Sequence, residues 1–192
     1  MQFKDGNRID LTLKAVGYYL KSHKDSQSVV LLDKDSIIGE LPPPSDKDYL
    51  PTPPTEKAFN DCCDEFFWIS LYAAKGIARR QLTYAKHMSE QICKNELITL
   101  LSWYAGIKTN FQQPVGYCAK YLDSFLEKDI WDTFKETYVG ANYPDMWNAL
   151  IKQCELFDTL AGIIAEKYNY LYNKIEYTDV ITRIRKLKKN TQ

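Results

Sequence analysis

The proline-rich segment between residues 39 and 55 constrains the fold of this chain more than any other feature of its sequence. Six prolines fall within residues 42–54. Proline has no backbone N–H and a fixed φ, so a segment this rich in proline can neither continue a helix nor pair inside a sheet. The sequence therefore predicts an extended linker over residues 39–55, between a short N-terminal part, residues 1–38, and a long C-terminal part, residues 56–192.

The N-terminal part has the pattern of a small α/β segment. Apolar and polar residues alternate over residues 8–13, which predicts a half-buried strand with Asp10 on its polar face. Further elements are expected at residues 2–3 (strand), 14–22 (helix) and 29–32 (buried strand). Because two or three strands and one helix seldom fold alone, we expect this part either to pair with another chain or to be the remnant of a larger domain.

The C-terminal part reads as helical throughout. Short connectors between long helices predict an antiparallel bundle, so the expected fold class of the whole chain is α+β. Thr55 and Ser89 are the expected N-caps, and Pro114 suits the first turn of a helix. The predicted helices span residues 56–87, 90–108, 114–125, 128–138, 144–168 and 174–189.

Charge and composition exclude several classes of protein. The 192 residues carry 25 basic and 25 acidic side chains, so the net charge is zero, which argues against a nucleic-acid or membrane-surface binder. No apolar run approaches the roughly 20 residues that a membrane-spanning helix needs. Five cysteines, an odd number in a chain whose start does not resemble a signal peptide, favour a reduced, cytoplasmic protein.

The first helix of the C-terminal part carries an ordered polar face. At about 100° per residue, seven side chains fall within an arc of about 100°. We call them the acid-to-base stripe: Asp61, Asp64, Glu65, Trp68, Tyr72, Lys75 and Arg79. Acids with an aromatic beside them could hold a cationic ligand, and the two bases suit phosphates. The alternative is a solvated face whose acids and bases complement the helix dipole.

Several segments on both sides of the linker resemble the aminoglycoside 6-adenylyltransferases, the streptomycin adenylyltransferases of bacteria. The resemblance covers nearly the whole chain. In the N-terminal part, residues 5–13 (DGNRIDLTL) are similar to the last catalytic strand of that family, and residues 31–35 (LLDKD) also resemble it. In the C-terminal part, the similar segments are residues 63–72 (CDEFFWISLY), 74–82 (AKGIARRQL), 101–104 (LSWY), 120–122 (KYL), 136–138 (ETY) and 147–150 (WNAL).

The resemblance implies transfer of AMP from ATP to a hydroxyl of an aminoglycoside, streptomycin being expected, with antibiotic resistance as the consequence. Such chemistry needs Mg²⁺ held by carboxylates. By resemblance, Asp10 is the third carboxylate of the catalytic domain, a general base or metal neighbour. The family's catalytic domain opens with a Gly-Ser motif and an Asp-x-Asp pair, and neither precedes residues 5–13 here. We therefore expect a catalytic domain that lacks its N-terminal part and an isolated chain that is impaired as an enzyme.

Stripe geometry and the family's domain arrangement together suggest which residues bind the two substrates. Asp64, Glu65, Trp68 and Tyr72 are the candidates for the aminoglycoside, and Lys75 and Arg79 are the candidates for the triphosphate. Family members of this kind are expected to be monomers, with self-association possible through the incomplete sheet. The alternative function is a non-catalytic helical module for ligand binding or assembly.

Overall fold

The computed structural model describes residues 1–191, and the chain divides into two compact units, Met1–Asp48 and Tyr49–Gln192. Nearly all its regular structure is helical. Among the described residues, no helix combines the length and apolar character that crossing a membrane would require.

The first unit contains one short helix, α1 (Val16–Lys21), and no β-strand within residues 1–48. A single antiparallel bridge joins Gln2 to Arg8 across the turn at Gly6, whose φ is +89°. Ser26 links the middle of the unit to its C-terminal end. Its N–H donates to Asp48 Oδ2 at 2.8 Å, and its hydroxyl donates to the Ser45 carbonyl at 2.8 Å.

The strands predicted at residues 8–13 and 29–32 are not formed, and the α+β class is not confirmed for the described residues. A strand needs a neighbour for its N–H and C=O groups and a layer for its apolar side chains, and this unit supplies neither. Leu13 and Leu31 are 89% and 94% exposed, and Ser26 is the one buried residue among residues 1–48. The sheet edge expected to allow self-association is therefore absent from residues 1–191.

The second unit is a set of helices around one core. The helices are α2 (Glu56–Ala78), α3 (Leu82–Lys86), α4 (Lys94–Lys108), α5 (Lys128–Lys135), α6 (Tyr143–Tyr168) and α7 (Lys174–Thr191), with a π-helical stretch, His87–Cys93, between α3 and α4. In the core, α2 packs against α4, α6 and α7. The rings of Phe66 (α2) and Phe157 (α6) stack there, with centroids 3.9 Å apart, and both residues are fully buried.

Two of the predicted helices differ strongly from the structure, while the helix expected over 90–108 is α-helical only from Lys94 and the one expected over 128–138 ends at Lys135. The long helix expected over 56–87 ends at Ala78, because Arg80 adopts a left-handed conformation (φ +55°) and the chain turns into α3. The helix expected over 114–125 is replaced by two 3₁₀ turns, since Gly116, Cys118 and Ala119 all have positive φ. Ser89 lies inside the π-helical stretch and caps nothing.

Other predicted boundaries are confirmed. The Thr55 hydroxyl accepts a hydrogen bond from the Ala58 N–H at 3.1 Å and so caps α2, as expected of threonine just before a helix. The break predicted near residues 140–144 is present, and there the Asn142 side chain caps α6 by accepting from the Asp145 N–H.

Candidate functional site

The acid-to-base stripe is the exposed face of α2, as its sequence spacing predicts. Phe59, Phe66 and Ile77, on the rest of the helix, are at most 2% exposed because they pack into the core. Every stripe residue except Tyr72, which is half-buried, is exposed. The burial of the opposite face therefore fixes how the stripe is presented to solvent.

The carboxylates at the start of the stripe have different surroundings. Asp61 forms an ion pair with Lys57, one turn earlier. Asp64 lines a cleft of about 450 Å³ where α2 meets the start of α7, which we call the α2–α7 cleft. Glu176 lines the same cleft, and neither Asp64 nor Glu176 has an ion-pair partner within residues 1–191. Two unpaired carboxylates on one cleft favour a cationic guest.

Aromatic side chains form part of the wall of the α2–α7 cleft. The Tyr172 hydroxyl donates to Asp158 Oδ1 at 2.8 Å, and burial, reinforced by this acceptor, raises the pKa of the Tyr172 phenol. Burial and the charge of Asp64 raise the pKa of the Cys63 thiol to about 12, so Cys63 is not a nucleophile at neutral pH. The cleft is thus suited to binding rather than to covalent chemistry.

Aromatic side chains occupy the middle of the stripe. Trp68 is 62% exposed and meets the ring of Tyr72 edge-on, with centroids 5.8 Å apart. Glu65 lies one turn before Trp68 on the helix and is exposed. Partial burial raises the pKa of Glu96 on α4, and the charge of Glu65 adds to that shift. An exposed tryptophan near carboxylates provides a surface on which a guanidinium can stack.

The cationic end of the stripe lines a second cleft, of about 610 Å³, where α2 turns into α3. We call it the α2–α3 cleft. Tyr72, Lys75 and Arg79 form its α2 side, with the Lys75 ammonium 5.3 Å from the centre of the Tyr72 ring. No carboxylate lines this cleft, and neither cation is ion-paired in the part of the chain that the structure describes. Unpaired cations on a concave surface attract anions.

Asp10 belongs to the first unit and forms an ion pair with Arg8, two residues earlier. Arg8 Nε donates to one carboxylate oxygen of Asp10 and Arg8 Nη2 to the other, both at 2.8 Å. Asp10 and Asp33 line the same cleft of the first unit. Partial desolvation works to raise the pKa of Asp33, but hydrogen bonds from the N–H groups of residues 37–39 outweigh it and lower that pKa.

These carboxylates do not by themselves make a magnesium site. Mg²⁺ requires several oxygen ligands near octahedral geometry. Residues 1–191 contain no group of three or more acidic, histidine or cysteine side chains placed to hold a metal. The oxygens of Asp10 are already engaged by Arg8, and those of Asp33 by backbone N–H groups.

The predicted site residues therefore fall into separate groups. Tyr72, Lys75 and Arg79 line one cleft and Asp64 lines another, while Glu65 and Trp68 line neither. Sequence reasoning missed the partners on the far wall of each cleft. These are Gln81, Thr83 and Tyr84 in the α2–α3 cleft, and Asn173 and Glu176 in the α2–α7 cleft. The first set directly follows the stripe in sequence, but no local pattern links residue 64 to residue 176.

Comparison with known proteins assigns a family to this arrangement. A family model described as streptomycin adenylyltransferase matches residues 1–187. The chain belongs to the streptomycin adenylyltransferase family. The resemblance drawn from the sequence segments is thereby confirmed.

Curated members of this family include three similar aminoglycoside 6-adenylyltransferases. The one from Bacillus subtilis (strain 168) is 31% identical over 185 residues, that from Campylobacter jejuni 33% over 175 and that from Staphylococcus aureus 32% over 179. The matches cover 94%, 90% and 92% of this chain, but 64%, 60% and 63% of the respective relatives. The chain therefore spans less than two thirds of the length of these family members.

The fold is also found in a solved member of the family. A crystal structure of an aminoglycoside 6-adenyltransferase from Bacillus subtilis matches with a TM-score of 0.64 at 24% identity. The match covers 74% of this chain and 54% of the other. At this level of identity the comparison establishes a shared fold.

Proposed function

We propose that this chain takes part in adenylyl transfer from ATP to a hydroxyl of an aminoglycoside, streptomycin being the expected antibiotic, and so confers antibiotic resistance. In this reaction the antibiotic oxygen forms a bond to the α-phosphorus of ATP. The bond from that phosphorus to the oxygen bridging to the β-phosphorus breaks, and pyrophosphate leaves. The hydroxyl proton passes to a base.

The helical unit supplies groups suited to both substrates. Streptomycin carries guanidinium groups, which carboxylates and aromatic faces bind well. Asp64, Glu65, Trp68 and Tyr72 are assigned to the antibiotic. Lys75 and Arg79 are assigned to the triphosphate, because a fork of N–H donors and an ammonium suit phosphate oxygens and neither is consumed by an ion pair in residues 1–191.

Asp10 is assigned as the general base, with a second role as a carboxylate ligand of Mg²⁺. As a base it would accept the hydroxyl proton on one carboxylate oxygen, through the lone pair that the hydrogen bond from Arg8 leaves unused. As a ligand it would supply one oxygen, and the described residues do not complete the coordination shell.

The observation that carries the proposal is the family match over residues 1–187, which includes both Asp10 and the whole stripe. The test is an assay of the purified chain with ATP, Mg²⁺ and streptomycin for streptomycin-dependent release of pyrophosphate. Adenylylated streptomycin identified by mass spectrometry would support the proposal. Absence of product, from a chain shown to be folded, would mean that this chain does not catalyse the transfer.

A second candidate function is a non-catalytic module for ligand binding or assembly. One observation favours it: many large apolar side chains of the first unit are exposed, among them Leu11, Leu13, Leu31 and Leu32. Exposed apolar surface of this kind favours association.

Thermal-shift measurements separate the two functions, because a ligand that binds only the folded state raises the melting temperature. Stabilisation by streptomycin and by ATP with Mg²⁺, each added alone, would support the transferase. Stabilisation by streptomycin only would favour a binding module. A molecular mass that rises with protein concentration would favour assembly.

A further inference from the structure

Three backbone features define the corner between α2 and α3. Arg80 turns the chain in a left-handed conformation (φ +55°), which costs a residue with a Cβ some free energy. The Gln81 N–H closes the corner by donating to the Gly76 carbonyl at 2.9 Å. Gly76 lets α3 approach closely, since a Cβ there would come within 2.9 Å of Tyr84 Cδ1 and 3.1 Å of Ala85 Cα.

A residue from α6 fixes the same corner. The Tyr143 hydroxyl donates to the Arg80 carbonyl at 2.7 Å, and the Arg80 guanidinium carbon lies 4.9 Å from the centre of the Tyr143 ring. Arg80 is thus engaged by α6, whereas its neighbour Arg79 lines the α2–α3 cleft. The result is a defined concave surface with Lys75 and Arg79 on one wall and residues 81–84 on the other.

The second wall carries two exposed polar side chains, Gln81 and Thr83. The hydroxyls of Thr133, Thr159 and Thr178 each donate to a carbonyl oxygen of their own helix, four residues earlier, whereas Thr83 is the second residue of α3 and has no such carbonyl in that helix. The Thr83 hydroxyl makes no hydrogen bond to any residue that the structure describes, and the same holds for the Gln81 carboxamide. Both side chains line the cleft opposite the two cations.

We infer that Gln81 and Thr83 form the second wall of a polyphosphate site whose first wall is Lys75 and Arg79. Lys75 and Arg79 lie one helical turn apart on the same face, so a row of phosphates can lie along α2. The Thr83 hydroxyl and the Gln81 amide N–H₂ then donate to the phosphate oxygens from the other side. Assigning this ligand as the triphosphate of ATP rests on the proposed function, whereas the site itself rests on the cleft.

The test uses the whole purified chain and inorganic tripolyphosphate, with binding measured by calorimetry at two salt concentrations. We expect tripolyphosphate to bind more tightly than AMP, and its affinity to fall as salt rises. Thr83→Val keeps the side-chain shape but removes the hydroxyl, and it should weaken binding roughly tenfold, as expected for a lost hydrogen bond to a charged group. Gln81→Ala should weaken binding similarly.

Thr159→Val is the matched control, because it removes the hydroxyl of an exposed helical threonine outside the cleft. Unchanged binding by Thr83→Val and Gln81→Ala, with binding lost in Lys75→Met/Arg79→Met, would overturn the second wall and leave the nucleotide assignment of the proposed function standing. Failure of the wild-type chain to bind tripolyphosphate would overturn the site as a whole. Streptomycin-dependent adenylyl transfer, assayed separately, would show whether the proposed function fails with it.

Discussion

Both carboxylate oxygens of Asp10 accept hydrogen bonds from one partner, the guanidinium of Arg8, at 2.8 Å each. The pair is exposed, and exposed ion pairs contribute about 0–1 kcal/mol to stability. Asp10→Asn should therefore leave the urea unfolding curve nearly unchanged. If Asp10 is the general base, the same variant should lower the rate of adenylyl transfer by about 10²- to 10⁴-fold.

The control for Asp10 is Asp35→Asn, which changes another exposed aspartate of the same unit. Asp35→Asn should keep wild-type turnover. Full turnover in Asp10→Asn would remove Asp10 from the chemistry.

Glu65 and Trp68 provide a test of the antibiotic-binding face that is separable from folding. Both are exposed, so Glu65→Ala combined with Trp68→Ala should barely change the melting temperature of the free chain. The double variant should lose at least about tenfold in streptomycin affinity, because it removes both a charge-assisted hydrogen bond and a cation–π surface. Calorimetric titration with streptomycin measures the loss.

A matched pair elsewhere on the second unit controls for a general surface effect. Glu166→Ala with Tyr117→Ala also removes an exposed carboxylate and an exposed aromatic, but neither residue lines a cleft of the stripe. Equal streptomycin affinity in both double variants would mean that the antibiotic binds another surface.

Gly76 and Gly162 are both helical glycines, yet they should respond oppositely to alanine. A Cβ at Gly76 would meet Tyr84 Cδ1 at 2.9 Å and Ala85 Cα at 3.1 Å, so Gly76→Ala should destabilise the chain by about 1–3 kcal/mol. A Cβ at Gly162 would meet no atom of the described residues within 4 Å. Gly162→Ala should therefore be neutral or stabilise the chain by up to about 1 kcal/mol, the helix propensity difference. Urea unfolding of both variants measures the contrast, and a stable Gly76→Ala variant would show that α3 is free to move away.

The features that the sequence predicts correctly depend on local signals. Thr55 after a run of prolines marks the start of α2, and helical spacing places the exposed stripe on one face. The corner at Arg80 has no such signal, because left-handed turns usually involve glycine or asparagine rather than arginine. Without the corner, Gln81 and Thr83 read as a continuation of α2 rather than as the facing wall of a cleft.

The errors in the first unit have a different cause. The alternation of apolar and polar residues over 8–13 is typical of a strand. A strand forms only when residues distant in sequence supply its hydrogen-bond partners and a layer that packs on its apolar face. Leu11 and Leu13 have neither within the described chain and remain exposed. The α2–α7 cleft was missed for a similar reason, since it joins Asp64 to Glu176, more than a hundred residues away.

Lys94 is a buried lysine without a carboxylate partner among residues 1–191, and it should make stability depend on pH in a predictable direction. Its ammonium donates to the Thr137 carbonyl at 2.8 Å and the Thr137 hydroxyl at 2.6 Å, and lies 3.7 Å from the centre of the Tyr138 ring. The residue is 2% exposed. Burial lowers the pKa of Lys94 from 10.5 to about 8, although the charge of Glu90 partly opposes the shift.

The sign of the effect follows from proton counting. Between pH 8 and 10.5 the unfolded chain holds the Lys94 proton while the folded chain has released it, so the free energy of unfolding rises with pH through this window. The shift corresponds to about 3 kcal/mol over the whole window. Buried thiols act oppositely above about pH 9, because burial raises the pKa of Cys63 and Cys154 to about 12 and the folded chain keeps their protons.

Comparison with Lys94→Met isolates the lysine, since the thiols contribute equally to both proteins. We expect urea unfolding under reducing conditions from pH 7 to 10 to show a change in relative stability. The free energy of unfolding of the wild type, minus that of Lys94→Met, should increase as the pH rises above 8. Lys57→Met is the charge-matched control, because it removes an exposed lysine of α2. If the free energies of unfolding of wild type and Lys94→Met change in parallel with pH, Thr137 and Tyr138 compensate the buried charge in full. Burial would then not lower the pKa of Lys94.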